Sequence, residues 1–397
     1  MGVVMPGPLH GVHVLDLSTA LSGPVAATIL ADQGAEVVKL EAPGMGDITR
    51  VVGSHRGGMR AMYHLANRGK RSIVLDLRAD EGKAAFFALA RHADVIVQNF
   101  RPGVVDRMGI GYDAVRAVNP DVVYLSIAGF GFGGPLAGAK VYDNLIQAAS
   151  GFAAVQGDES GPRYVRNLAC DKITALTAAQ AITAALFARS RGDGGQHIRL
   201  AMLDAAASFL WPDAATPFAM LHPDATIVDT NRSNELVRHL DGFTTCAPVT
   251  DAEFRGWCLA FDAPEVANDP RWATVAQRME SDDYQNVRRE VAARAARLTV
   301  ADAIARLAAH GVACVEAVPL AELPANEQAV ANGTFSVCHH PAAGPIRQVE
   351  PPARFGGTPS TAGGPAALPG QHTDEILREV GYDDDAIRAL RKSGVAL

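Results

Sequence analysis

The chain has 397 residues, 48% of them hydrophobic and 20% charged, which allows a large buried core and fits two domains better than one. A formal net charge of -7 disfavours a nucleic-acid partner, and no apolar run reaches the roughly 18 residues of a membrane span. Five scattered cysteines (Cys170, Cys246, Cys258, Cys314, Cys338) without a C-x-x-C pair argue against a disulfide framework or a zinc cage. Met1 to His10 lacks a basic segment followed by an apolar one, so the cytoplasm is the expected compartment.

In chain order, Val12–Leu17 reads as a strand, Pro24 to about Gln33 as a helix, and Glu36–Leu40 as the next strand. Pro24 suits a first helical turn, where its missing N–H costs nothing, and Gly34 can take the left-handed conformation that ends a helix. The alternation continues with a strand at Ser72–Asp76, a helix over about Glu81–His92, strands at Asp94–Val97 and Val122–Ile127, and a short helix at Tyr112–Val118 between them. Strands alternating with helices imply a doubly wound α/β layer. From Asp171 to about Arg189 the chain is Ala- and Thr-rich, which predicts a helix buried on most sides. A strand at His197–Ala201 and a helix from near Leu203 follow. Prolines 212, 217 and 223 mark residues 212–234 as a linker, and residues 235–325 as a second domain with amphipathic helices at Tyr284–Arg297 and Val300–His310. Pro341 to Gly370 reads as an extended return segment, before helices at Thr373–Val380 and Asp384–Lys392.

Gly129-Phe-Gly-Phe-Gly-Gly134 matches G-x-G-x-x-G after a strand, but Pro135 and Gly138 stand where a phosphate-binding helix should begin. A Gly-rich active-site loop is the better reading. Cys338-His339-His340 lies in an extended segment that points adjacent side chains apart, so an ordinary strand is expected there rather than a metal site. No G-x-S-x-G elbow exists. Arg68, Lys70, Arg71, Arg78, Arg101, Arg107 and Lys140 gather at predicted strand ends, where open α/β sheets bind ligands; they are either a solvated face or an anion site. Asp171 opens the apolar helix, where the helix dipole favours a carboxylate; spacing alone makes it a cap or a nucleophile.

Further segments run through the chain in a fixed order. They are Leu15–Leu17 with Gly23 and Pro24, Leu30–Glu41, Gly46 and Asp47 with Arg50, Asn67–Ile73 with Leu75 and Asp76, and Ala93–Gly103. Asp106–Gly109, Tyr142–Asn144 with Gln147, Gly194–Gln196 and Gly370–Leu377 complete the series. With these segments the chain resembles the class III CoA-transferases, the family of formyl-CoA transferase, carnitine CoA-transferase and alpha-methylacyl-CoA racemase, nearly end to end.

The resemblance implies an α/β fold: a Rossmann-like large domain from residues 1–211 and 326–397, a smaller α+β domain inserted, and two subunits interlocked as a homodimer. It implies a nucleophile at Asp171 and coenzyme A contacts at Leu75, Arg78, Asn99, Phe100, Arg101, Arg107, Lys140 and Tyr142. The basic cluster would then meet the phosphates of CoA, a substrate rather than a resident cofactor, with no metal required. Asp171 would attack an acyl-CoA, and the released thiolate would convert the mixed anhydride to an aspartyl-CoA thioester for a carboxylic acid to collect. Backbone N–H groups of the Gly-rich segments are candidates to hold the oxyanions.

Two departures narrow the acids. Formyl-CoA transferases carry a glutamine just before the Gly-Pro turn and a Gly-rich loop in the small domain; here Leu21 and Ser22 precede Gly23, and Asn234 to Thr250 holds only Gly242, so formate and oxalate are poorly matched. The racemase branch has a histidine where Tyr142 stands before Asp143, and its glutamate region aligns with Val249–Asp251, so a racemase or isomerase lacks its usual acid-base pair. A non-catalytic acyl-CoA binding subunit is the remaining alternative, and Asp171 argues against it. Arg163, Tyr164, Arg166 and Trp211 either face substrate or pack.

Overall fold

The short apolar runs become a six-stranded parallel sheet in the computed structural model, which describes residues 7–158, 160–225, 227, 235–281 and 283–397. Its strands are β1 (His13–Asp16), β2 (Glu36–Glu41), β3 (Arg71–Val74), β4 (Val95–Gln98), β5 (Val123–Ala128) and β6 (Gln196–Ala201), ordered β3-β2-β1-β4-β5-β6. Every residue of β4 and β5 is buried, which is why these strands read as continuous apolar runs rather than alternating ones. The order reverses between β1 and β4, the crevice where such sheets take ligands.

Helices alternate with these strands or follow them. They are α1 (Ser22–Asp32), α2 (Asp80–Ala90), α3 (Asp143–Ala149), α4 (Ala169–Ala188) and α5 (Met202–Ala214). Phe86 and Leu89 of α2 join Leu15, Ile73, Ile96 and Tyr124 in the main core. The helix expected from Asp171 is α4, with one correction. Ala175, Ala178, Ile182 and Ala185 are buried, yet Leu176 and Phe187 on the opposite face are each 63% exposed, so the helix is one-sided rather than enclosed. Its low charge disguises which face packs.

The chain divides into two compact units: one runs through Phe209 and resumes at Glu327, and the other is Leu210–Asn326. In the expected linker, residues 226 and 228–234 lie outside the described residues, while Pro212 sits inside α5 and Thr216–Ala219 is a short helix. The second unit has three antiparallel strands, β7 (Val237–Arg238), β8 (Phe243–Cys246) and β9 (Cys314–Glu316), with α6 (Asp251–Ala260), α7 (Tyr284–Arg294) and α8 (Val300–Ala309). Its own core contains Phe254, Trp257, Phe261 and Trp272. Thr250 opens α6 with a full capping box against Glu253.

The return segment also differs from expectation. Phe335–His340 (β10) and Gly344–Val349 (β11) form an antiparallel hairpin, where only extended chain was expected after Pro341. Gly344, at φ +80°, makes the turn possible. Cys338-His339-His340 is thus an ordinary strand; buried His340 faces the Ala366 carbonyl at 3.1 Å, and no group of three or more potential metal ligands occurs among the described residues. Finally α9 (Thr373–Glu379) and α10 (Asp384–Lys392) bring residues 395–397 alongside β3, with Asp76 N–H donating to the Val395 carbonyl at 2.8 Å.

Candidate active site

A buried ionic cluster holds the carboxyl end of β1. The Lys39 ammonium lies 3.6 Å from Asp16 and 3.3 Å from Asp47, and Lys70 lies 2.8 Å from Asp16, all essentially without solvent exposure. Burial alone would raise the Asp16 carboxyl, but the two ammonium groups hold it below its usual value. Burial pulls Lys70 down to about 8 despite Asp16. Lys39 also donates to the Ser18 carbonyl and Asp47 accepts from Ala20 N–H at 3.1 Å, so the cluster fixes the turn that leads into α1. Ala20 in that turn has φ +66°, a conformation a non-glycine residue holds only when its surroundings impose it.

Asn99 closes the switch-point crevice. Its side-chain oxygen accepts from Thr19 N–H at 2.9 Å and its amide donates to the Thr19 carbonyl at 2.7 Å. Beside it, Leu17, Leu75, Arg78, Phe100 and Met108 line a cleft of about 410 Å³. A second cleft of about 390 Å³ lies across Phe100, lined by Arg101, Tyr112, His197 and Arg199 among others. The structure therefore brings Leu75, Arg78 and Phe100 together, with Asn99 adjacent in sequence, and puts Arg101 on the far side of Phe100. Arg107, Lys140 and Tyr142 are exposed and line neither cleft.

Much of the basic cluster read from sequence is paired within the protein. Arg68 pairs with Asp32 at 2.5 Å, Lys70 with Asp16, and Arg71 with Glu379 at 2.6 Å, so these three are structural cations. Arg78 forks onto Asp76 but remains 83% exposed at the cleft rim.

Asp171 sits in the first turn of α4, only 9% exposed. Its backbone N–H donates to Asp143 Oδ2 at 2.8 Å, and Gln147 holds the other Asp143 oxygen at 2.6 Å. Val141, two residues before Asp143, rests on Gly129, where any Cβ would meet the valine side chain at 2.5 Å. Burial, reinforced by the Asp143 carboxylate, pushes Asp171 up to about 6, against hydrogen bonding from the backbone and hydroxyl of Ser22 at the start of α1. A buried carboxylate with few donors is ionised at neutral pH yet more basic than a solvated one, which suits a nucleophile. Asp143 and Gln147 carried no assigned role from sequence, although their i, i+4 spacing was a signal that they share one helix face.

Residues 9–373 match CoA-transferase family III. The chain belongs to that family. It is 32% identical over 94% of its length to the succinate–glutarate CoA-transferase of Agrobacterium fabrum, covering 96% of that protein. It is 32% identical over 98% of its length to the formyl-CoA:oxalate CoA-transferase of Streptomyces coelicolor, covering 98% of it. A crystal structure of a CAIB/BAIF family protein from Brucella suis superposes with a TM-score of 0.80 at 28% identity, over 94% of this chain and all of that one. The protein is a CoA-transferase, with the mixed α/β fold and parallel central sheet of its relatives. No helix among the described residues is long and apolar enough to cross a membrane.

In this transferase the raised Asp171 has a stability consequence. Below about pH 4 the carboxyl is neutral in native and unfolded chains alike; above about 6 the native state must carry an ionised buried group that the unfolded chain solvates freely. Asp171→Asn is therefore expected to raise stability by roughly 1–3 kcal/mol at pH 8 and by little at pH 4, read by urea unfolding at both values. An equal effect at both pH values would refute the assignment of charge burial as the cause.

Proposed function

We propose that the protein moves coenzyme A from an acyl-CoA donor to a carboxylic acid through a covalent aspartyl-CoA thioester on Asp171. A carboxylate oxygen of Asp171 adds to the donor thioester carbonyl, the C–S bond breaks, and CoA leaves as thiolate. The thiolate adds to the Asp171 Cγ, and the donor acid departs as carboxylate. The acceptor carboxylate then runs both steps in reverse. No net proton, metal or nucleotide is required, and burial keeps water from the activated carbonyl. The observation that carries this reading is the nearly buried Asp171 carboxylate, raised by its surroundings, in a chain of this family.

In this reading CoA spans the crevice. Leu75, Arg78 and Phe100 wall it, Asn99 and Arg101 flank the turn, and Arg107, Lys140 and Tyr142 close on the phosphates and pantetheine from exposed positions. The large domain is residues 1–211 with 326–397, residues 212–234 link it to the small domain 235–325, and two subunits interlock as a homodimer in the cytoplasm, with neither nucleic acid nor membrane as partner. The exposed Leu176 and Phe187 on α4 are a surface such a partner would cover. A relative named for succinate and glutarate supports longer dicarboxylic acids as the first acceptors to try. Substituting tyrosine for the racemase branch's histidine, at Tyr142, speaks against the isomerase alternative.

The test is intact-protein and peptide mass spectrometry after incubation with succinyl-CoA, acetyl-CoA and propionyl-CoA, followed by an acid panel. A CoA-sized adduct on the Asp171 peptide, discharged by an acid and missing from Asp171→Ala, is the expected result. CoA exchange without any adduct would sink the covalent step, and no exchange with any donor and acid would sink transfer and favour a binding subunit.

A further inference from the structure

Asp143 is 2% exposed and forms a junction between three parts of the first unit. Its Oδ2 accepts from the N–H of Asp171, so it fixes the first turn of the helix that carries the nucleophile. Its Oδ1 accepts from Gln147 Nε2, one turn along α3. Gln147 in turn clamps the segment that enters α4, receiving Val165 N–H at 2.9 Å and donating to the Asn167 carbonyl at 3.0 Å. One residue before Asp143 stands Tyr142, and Val141 is seated on Gly129 at the end of β5.

A helix cap alone does not call for this arrangement. A neutral Asn or Ser would accept the same Asp171 N–H, although not the Gln147 amide at a second oxygen as well, whereas a second buried acid so near Asp171 works against ionisation of the nucleophile. We propose that Asp143 is a positioning residue for the transfer reaction, which orients Asp171 through its backbone N–H and sets a second buried acid beside the nucleophile; this rests on the Asp171 reading above. The groups facing Asp171 are Asp143 from α3, Ser22 from α1, and the Cys170 thiol of its own helix. Burial pushes that thiol up to about 12, so it stays neutral, and Asp143 is the second acid beside Asp171. Two of the four additions in the cycle use Asp171 oxygen as nucleophile or leaving group against the acyl carbonyl, and both are sensitive to its basicity.

The experiment uses the full chain with Asp143→Asn, which keeps one acceptor and the shape but removes the charge, Asp143→Glu, which keeps the charge, and Gln147→Leu, which removes the second hydrogen bond while leaving Asp143 in place. The Asp171 carboxyl resonance is followed by 13C NMR in aspartate-labelled protein and identified by its loss in Asp171→Asn. Aspartyl-CoA formation is timed by mass spectrometry. Asp143→Asn is expected to lower the titration midpoint of Asp171 by roughly half a unit to one unit and to slow adduct formation on the order of tenfold, with KM for the acyl-CoA within about twofold. Asp143→Glu and Gln147→Leu should keep the midpoint near that of the wild type. An unmoved midpoint and rate in Asp143→Asn would reduce Asp143 to a helix cap, and the same shift in Asp143→Glu or Gln147→Leu would trace it to packing or to the second hydrogen bond; either overturns the proposal. Should the wild type form no adduct at all, the covalent reading fails, while the NMR midpoint still decides whether Asp143 governs Asp171.

Discussion

Lys39→Met is expected to destabilise the first unit by about 3–5 kcal/mol, the cost of leaving buried carboxylates without their counter-charge. Lys39 is fully buried, and it is the cation shared by Asp16 and Asp47. Methionine fills a similar volume, so the loss isolates charge from packing. Lys70 still compensates Asp16, but Asp47 would be left facing the turn through Ala20 with no ammonium beside it. Urea unfolding of wild type and variant checks the figure, and pairing the change with Asp47→Asn should recover part of it. A loss below about 1 kcal/mol would mean that water or relaxation reaches the cluster. The turn it supports leads straight to Ser22, so activity should fall along with stability.

Asp171→Ala is expected to lower CoA exchange by a factor on the order of 10⁴ or more, because Asp171 is the proposed carrier of the covalent step. Binding of acyl-CoA should survive, since the cleft walled by Leu75 and Phe100 is untouched. The variant should also be no less stable than wild type at neutral pH, the opposite of what removing a structural residue does. Steady-state exchange and acyl-CoA binding by calorimetry, measured on the same preparation, separate the two effects. Exchange retained at a tenth of the wild-type rate would require another nucleophile.

The parallel sheet was legible because β4 and β5 are buried on both faces and so appear as unbroken apolar runs between turn residues. The helix that carries Asp171 in its first turn was legible from the Ala- and Thr-rich run that follows that residue. Other features were not, and for Arg71 and Asp143 the reason is that their partners are remote in the chain. Arg71 looked like part of an anion site until Glu375 and Glu379, some 300 positions later, took it up. Which face of α4 packs is set by neighbouring elements rather than by its own nearly uncharged composition. The β10–β11 hairpin hid in a Gly- and Pro-rich stretch whose strand pairing supplies what local propensity does not. The contact of Asp143 with Asp171 was not legible because it is made to the backbone N–H of a residue 28 positions away.

The hydrogen bond from Asp76 to Val395 also sets an order of events during biosynthesis. Edge strand β3 gains its neighbours near residues 395–397 only after the whole of Leu210–Asn326 has been translated. At about 5–20 residues/s, the roughly 320 residues between β3 and its C-terminal neighbours amount to a delay of roughly 16–64 s. The inserted unit has its own core and can fold during this interval, while the earlier segment waits with an apolar strand edge open, a period in which chaperone capture or mispairing competes with completion of the sheet.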